Sequence, residues 1–341
     1  MTRDSEDGAS GFPAGPALRL HTPPPDFDPA RADPRLVAGH GLPAPRREDG
    51  PAAADFRRAF LAPPPGGRLR FVPALRPEPA PRPGLARLEA TTRTHRGVPA
   101  RRSVNWSGGS LAALGGRSLV GVMARWRVPA VLTPPGRAGH AMRASTWIGL
   151  DGQGFYRNAS LPQIGTLQAW DGVDGSPARY EAWVQWWARD EANAPLALAL
   201  TMAPGDAVSA ILTVLDPATV RFNLKNETTG TVLQPFDLTA PGGRRVAGAS
   251  AEWILERPSP LDADGWHPYP LAPCAPVPFT ACLAQSRGPG ETTLTEHDLA
   301  RASLIRMIAL DAPPGQARTI AYPARVKGDP RALTMTCGAP F

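Results

Sequence analysis

TWIGLDG (146–152), LPQIGTLQ (161–168) and YEAWVQWW (180–187) lie within residues 146–187 and read with strand periodicity, in which alternate side chains share a face. The first phrase places Trp147, Gly149 and Asp151 together. The third places Glu181, Trp183, Gln185 and Trp187 on one face and Tyr180, Ala182, Val184 and Trp186 on the other. A later phrase, AEWILE (251–256), divides in the same way: Glu252, Ile254 and Glu256 on one side, Ala251, Trp253 and Leu255 on the other. One face is therefore polar and aromatic, and the other is apolar enough to pack. Carboxylates, amides and indoles lining one side of a sheet describe a substrate groove.

The surrounding sequence extends the same pattern. SLVGVMARWRV (118–128) alternates, with Val120, Val122, Ala124, Trp126 and Val128 inward. Further short runs at 195–202, 206–215, 219–226, 231–238, 302–310, 318–326 and 332–338 are separated by turn signals such as PGD (204–206) and NETTG (226–230). Long stretches of period 3.6 are missing. Many short strands between frequent turns predict an all-β domain of two packed antiparallel sheets, a concanavalin-like jelly-roll sandwich.

Composition divides the chain. All 9 Trp lie between Trp106 and Trp266, whereas 19 of the 42 Pro fall in residues 1–102. A Pro-rich, Trp-free stretch buries too little apolar area to offset its ordering entropy, which predicts a disordered leader or pro-segment over 1–102 and a folded domain over 103–341. Within the leader only Ala52–Leu61 suggests a short helix, and ALRPEPAPRPG (74–84) reads as polyproline-like. The net charge of +7 is concentrated: residues 56–102 hold 11 Arg against 2 acids, while residues 1–55 carry a net −3. Lys and Arg interleaved with aromatics on a folded surface would point to nucleic acid. Here the basic block is Pro-rich with few aromatics, so no nucleic-acid partner is expected; it reads either as a solvated linker or as an electrostatic latch over the groove carboxylates Asp151, Glu181, Glu252 and Glu256 at neutral pH. The PARR sequence (99–102) would be a processing site at its end.

Several chemistries lack their residues. There is no G-x-S-x-G elbow, no H-E-x-x-H, no Walker loop and no G-x-G-x-x-G. No cofactor and no metal are expected. The 3 cysteines, Cys274, Cys282 and Cys337, form no C-x-x-C; they read as small buried hydrophobes, with a Cys282–Cys337 bridge left open. No apolar run reaches the ~18–20 residues of a membrane helix, so no membrane partner is expected. The N-terminus lacks the apolar core of a signal peptide.

NWSG (105–108), WIGLDG (147–152), LPQIGT (161–166), YEAWVQWW and AEWILE follow one another as they do in the glutamic peptidases, the eqolisins, and the chain resembles that family over about residues 103–341. The resemblance implies a sandwich with a concave active face, an acid-acting endopeptidase hydrolysing a polypeptide substrate, secretion, and a catalytic Gln and Glu. Carried over by motif, these are Gln163 and Glu256. Glu252 matches the first acid of AEWILE and shares a strand face with Glu256, so the choice between them rests on the resemblance. It also implies substrate-binding roles for Trp147, Asp151, Trp183, Gln185, Trp187 and Glu252. Gln185 stands where the best-known members carry Glu, and Gln168 falls near a position often Asp, so the groove would be less negative. In the family a loop corresponding to LDADGWHPYPLAPCAPVP (261–278) borders the groove, bringing Trp266, His267 and Tyr269 toward substrate. A monomer is expected.

Two other classes fit the residues less well. A jelly-roll glycosidase would use Glu252 and Glu256, but at i, i+4 on a strand they stand ~13 Å apart, beyond the usual separation of such pairs. A sandwich that binds carbohydrate or peptide without catalysis would need only the aromatic face. Replacing Gln163 distinguishes a peptidase from either.

Overall fold

The structure is a computed structural model, and it describes residues 17–76, 100–132, 138–153, 160–188, 194–259, 268–309 and 318–338. In chain order the described elements are β1 (Leu18–Leu20), α1 (Pro34–Gly39), α2 (Pro51–Leu61), β2 (Arg70–Val72), β3 (Ala100–Ser103), β4 (Trp106–Ala112), β5 (Ser118–Arg127), β6 (Met142–Leu150), β7 (Ser160–Trp170), β8 (Arg179–Ala188) and β9 (Leu196–Ala197). They continue as β10 (Ala207–Asp216), β11 (Thr219–Asn226), β12 (Thr231–Leu233), β13 (Phe236–Thr239), β14 (Ser250–Glu256), β15 (Val277–Arg287), β16 (Thr295–His297), β17 (Ser303–Ala309), β18 (Arg318–Arg325) and β19 (Leu333–Cys337).

Two runs of strands build the fold. One run is β9–β8–β7–β6–β14–β4–β17, antiparallel throughout, with β3 added in parallel beside β17. The other is β19–β15–β5–β10–β11–β13–β1, also antiparallel. Alternation puts Ile148, Ile164, Val184, Trp186, Trp253 and Leu255 of the first run into one core with Val122, Trp126, Ala210, Leu212, Phe222 and Phe279 of the second. Indoles tie the two runs: Trp126 Nε1 donates to Thr166 Oγ1 at 3.2 Å and Trp253 Nε1 to the Met123 carbonyl at 3.1 Å. The result is all-β and consistent with a β-sandwich. The runs also join through β17–β18 and β18–β19, so all described strands belong to one hydrogen-bonded network.

The expectation of disorder throughout 1–102 fails for residues 17–76. Strand β1 pairs with β13 and β2 with β12, and α2 covers the outer face of the second run. The reason is an apolar row that the sandwich leaves uncovered. Ile211, Met123 and Leu283 are in register across β10, β5 and β15 and point away from the central core. Phe56, Phe60, Leu61, Val37, Leu42 and Leu69 pack onto them, all nearly removed from solvent. Residues 56–76 therefore do not lie over the groove as a latch, except that Arg76 ends near Glu181 (3.5 Å). The polyproline-like stretch is outside the described residues beyond Arg76, and residues 100–102 of the PARR sequence form part of β3.

Both ends of α2 are held by charges that match its dipole. The Glu296 carboxylate accepts from the Ala53 and Ala52 amides (2.6 and 3.2 Å) at the N-terminus. Lys225 Nζ donates to the Phe60 and Ala62 carbonyls (2.8 and 2.6 Å) at the C-terminus. Burial lowers the Lys225 pKa to about 8. Beside the helix, buried Asp49 pairs with Arg57 (3.0 Å) and Arg46 (3.0 Å) and accepts from Gln285 Nε2 of β15 (2.9 Å). A Cβ on Gly50, the residue before the helix, would sit 2.4 Å from the Glu296 carboxyl carbon and push that carboxylate off the two helix amides. Gly50→Ala should therefore destabilise the fold by about 1–3 kcal/mol, the usual cost of overpacking, read from urea unfolding midpoints.

Candidate active site

The polar face of the first run is built from β4, β14, β6, β7 and β8. Register places three rows across it. Ser110, Glu252, Gly149, Gln163 and Gln185 form one; Gly108, Ile254, Trp147, Gly165 and Trp183 the next; Trp106, Glu256, Ser145, Leu167 and Glu181 the third. The face partition read from the sequence holds, since Trp147, Trp183 and Ile254 cluster here while Trp253, Val184 and Trp186 face the core. Glycines make room for the indole of Trp147. A Cβ on Gly165 would lie 2.5 Å from the Trp147 Cβ, and one on Gly149 would lie 3.0 Å from the Pro162 carbonyl oxygen.

Glu256 has the most elaborate surroundings. It is 2 % exposed and accepts from Trp147 Nε1 at 2.7 Å and from Asn105 Nδ2 at 3.1 Å, with Trp106 opposite it on β4. The two indoles meet edge to face, with centroids 5.1 Å apart. Asn105 is in turn oriented by Ser103, whose hydroxyl donates to Asn105 Oδ1 at 2.9 Å. Burial raises the Glu256 pKa from 4.5 to about 8, and the surrounding Trp and Asn side chains only partly oppose it.

The remaining residues fall into separate groups. Gln163 Nε2 donates to Gln185 Oε1 at 3.1 Å, and Gln163 Oε1 is buried without a hydrogen-bond partner among the described residues. Glu252 accepts from Ser110 Oγ (3.3 Å) and the Gly152 amide (3.2 Å). Gln163 shares its row with Glu252 across Gly149, whereas Glu256 lies two rows further along β14, and Gln163 and Glu256 are not hydrogen-bonded to each other. Trp183 Nε1 donates to Ser145 Oγ at 3.0 Å, and Trp187 packs at the edge of the same cluster.

The Asp151 carboxylate is bound by backbone amides of the segment before β14. Asp151, at φ 66°, receives the amides of Ala247, Gly248 and Ala249 (2.6, 3.2 and 2.6 Å) and so pins that segment. Gln168 faces the core and donates to Thr166 Oγ1 at 2.9 Å; the groove position beside it is Leu167. Tyr269 lies under the Arg143 guanidinium, 4.9 Å from ring centroid, while Trp266 and His267 lie outside the described residues. Sequence reasoning missed Ser103, Asn105 and Trp106 as supports of Glu256, although the phrase that contains two of them was already conspicuous. Among the described residues no three His, Cys, Asp or Glu side chains converge as a metal site requires.

A face carrying this order of motifs agrees with a family profile, that of the Peptidase A4 family, which matches residues 104–308. The chain belongs to the Peptidase A4 family. Solved structures similar to it include scytalido-glutamic peptidase with a transition state analog inhibitor, at 22 % identity and TM-score 0.52, covering 69 % of this chain and 98 % of that one. Another is SCP-B, a member of the eqolisin family in a complex with the tripeptide Ala-Ile-His, at 22 % identity, TM-score 0.50 and the same coverage. At that identity the likeness shows a shared fold. No curated protein sequence matches the chain. The A4 match begins at Val104, one residue before Asn105, so the whole Glu256 cradle except Ser103 lies within it.

The raised Glu256 pKa has a stability consequence. The folded protein holds this proton where the unfolded chain has lost it, so its contribution is fully present below about pH 4.5 and is lost as pH rises through about 8. Asp151, raised by burial, acts with the same sign, and His297, lowered by burial, acts oppositely at acid pH. The difference between wild type and Glu256→Gln isolates the one group. Denaturant unfolding should show wild type losing a few kcal/mol relative to the variant between pH 4.5 and 8, at about 1.4 kcal/mol per tenfold change in ionisation.

Proposed function

We propose that the protein is a glutamic-type endopeptidase in which Glu256 moves the proton and Gln163 stabilises the oxyanion. The observation that carries this reading is the Glu256 carboxyl, buried and held by Trp147 and Asn105 on the face it shares with Gln163. As a carboxylate, Glu256 takes a proton from water as that water attacks the peptide carbonyl, then gives it to the departing amine. The Gln163 amide donates to the developing oxyanion, and its unpartnered Oε1 offers an acceptor to orient the water. Trp147 and Asn105 act as positioning residues for the carboxyl. Trp183, Trp187 and Gln185 line the path of an extended polypeptide over the concave face of a two-layered jelly roll.

The acid range implied by the family and the burial of Glu256 pull in opposite directions. Catalysis requires water beside the carboxyl, which returns part of its solvation, so the acid limb of activity should lie between 4.5 and 8 and the optimum in weakly acid solution. The test is digestion of an unfolded protein from pH 2 to 9, with pepstatin present to exclude aspartic peptidases. An optimum above pH 8 would overturn the assignment of one glutamate as both base and acid. A binding-only protein is favoured by one feature, the amide of Gln185 where the family's best-known members carry an acid, and it predicts no cleavage at any pH.

A further inference from the structure

The three cysteines are not equivalent, and the structure pairs two that the sequence did not. Cys274 Sγ and Cys337 Sγ are 2.7 Å apart, joining positions 63 residues apart in the chain. Cys274 is nearly buried in a stretch held to the body of the protein: the Arg143 amide donates to the Pro270 carbonyl, the Ala272 amide to the Arg143 carbonyl, and Cys274 pairs with Val131 in an isolated β-bridge. Cys337 ends β19, opposite Ala321 of β18, and is partly exposed. Cys282 stands apart in the core, wholly buried, its amide donating to the Arg331 carbonyl. All three are free thiols, and it is Cys274, not Cys282, that lies against Cys337.

We propose that Cys274 and Cys337 form a redox-sensitive staple, closing as a disulfide that ties the segment after β14 to the C-terminal strand. The oxidant is a small-molecule disulfide such as oxidised glutathione. The Cys337 thiolate attacks one sulfur of that disulfide, forming a mixed disulfide and releasing one glutathione thiolate. The Cys274 sulfur then attacks Cys337 Sγ, its proton passing to solvent, and the second glutathione leaves as a thiolate; two electrons have moved from the protein to the oxidant. The order of attack follows from exposure and acidity. Cys337 is reachable and its thiol is lowered by the hydrogen bond with Cys274, whereas Cys274 is pushed up by that same bond and by burial.

The staple closes a loop running from Cys274 to Cys337, which contains β15 through β19 and therefore the strands that join the two layers. Constraining the unfolded chain over a loop of that length should raise the Tm by about 5–10 °C for a domain of this size. It also anchors the far end of the segment that leaves Glu256 and carries Tyr269 past Arg143.

The experiment uses the full chain, incubated with either oxidised glutathione or dithiothreitol, alkylated, digested without reduction and mapped by mass spectrometry. The expected result is a linked peptide pair containing Cys274 and Cys337, with Cys282 recovered as a free thiol, and a Tm that falls on reduction. Cys282→Ser should keep the link and the Tm difference, while Cys337→Ser should abolish both without preventing folding. A link through Cys282, a glutathione adduct on Cys337 that never resolves, or three free thiols after oxidation would each overturn the proposal.

Discussion

Glu256→Gln and Gln163→Ala are each expected to reduce peptide hydrolysis by at least 10²–10³-fold while leaving the far-UV spectrum unchanged. Removing one preformed oxyanion donor costs about that much, and removing the only proton-transfer group costs more. Both residues sit on β-strands paired on either side, so substitution leaves the ladders intact. The neighbouring acid is the control. Glu252 shares the strand face of Glu256, but its carboxylate accepts from Ser110 Oγ and the Gly152 amide instead of from Trp147 and Asn105. Glu252→Gln should keep far more activity. Register argues the other way, because Gln163 lies in the row of Glu252. Initial rates on a short peptide decide between the two acids: if the Glu252 variant is dead and the Glu256 variant active, the proton carrier is Glu252. Asn105→Ala tests the support rather than the chemistry. It removes one donor from the carboxyl, so the acid limb of kcat/KM should shift upward while some turnover remains.

Deleting residues 1–76 is expected to abolish cooperative folding. A disordered leader could be removed at little cost. Here the deletion uncovers the Ile211–Met123–Leu283 row and withdraws Phe56, Phe60, Leu61, Val37, Leu42 and Leu69 from it. At about 1.5–3 kcal/mol for each large side chain buried, that loss matches the whole net stability of an ordinary domain, about 5–15 kcal/mol. It also strands charges made for the helix: Glu296 loses its two amides, and Lys225 loses both carbonyls. A shortened chain should be recovered as aggregate or as a species without a sharp thermal transition. A soluble protein with wild-type Tm would show that residues 17–76 merely rest on the surface. Proteolytic maturation of the intact chain is accordingly expected to spare this segment.

What the sequence by itself determined was everything governed by local alternation. The period-2 pattern in TWIGLDG, YEAWVQWW and AEWILE assigned the faces of β6, β8 and β14 correctly, because strand geometry leaves each side chain only two directions. The turn signals separated most strands near their observed ends for the same reason, although TVLQPFDL proved to be two strands, β12 and β13, joined across Pro235. The ordered motifs marked the strands that carry Gln163, Glu256 and Trp147. Tertiary structure alone decided what depends on partners distant in the chain. Only strand register shows that Glu252, not Glu256, shares the row of Gln163, and only packing shows that Asn105 and Trp106 reach the Glu256 carboxyl from β4's edge. Asp151 looked like part of the groove until its carboxylate was found bound to three amides about a hundred residues away. The N-terminal segment was misread because its composition was weighed alone. Phe56 and Phe60 are too few to form a core of their own, yet they suffice as a lid on Met123, Ile211 and Leu283, whose outward apolar row becomes visible only when three strands are set side by side. Burial energy belongs to surfaces brought together, and a linear sequence does not say which surfaces meet.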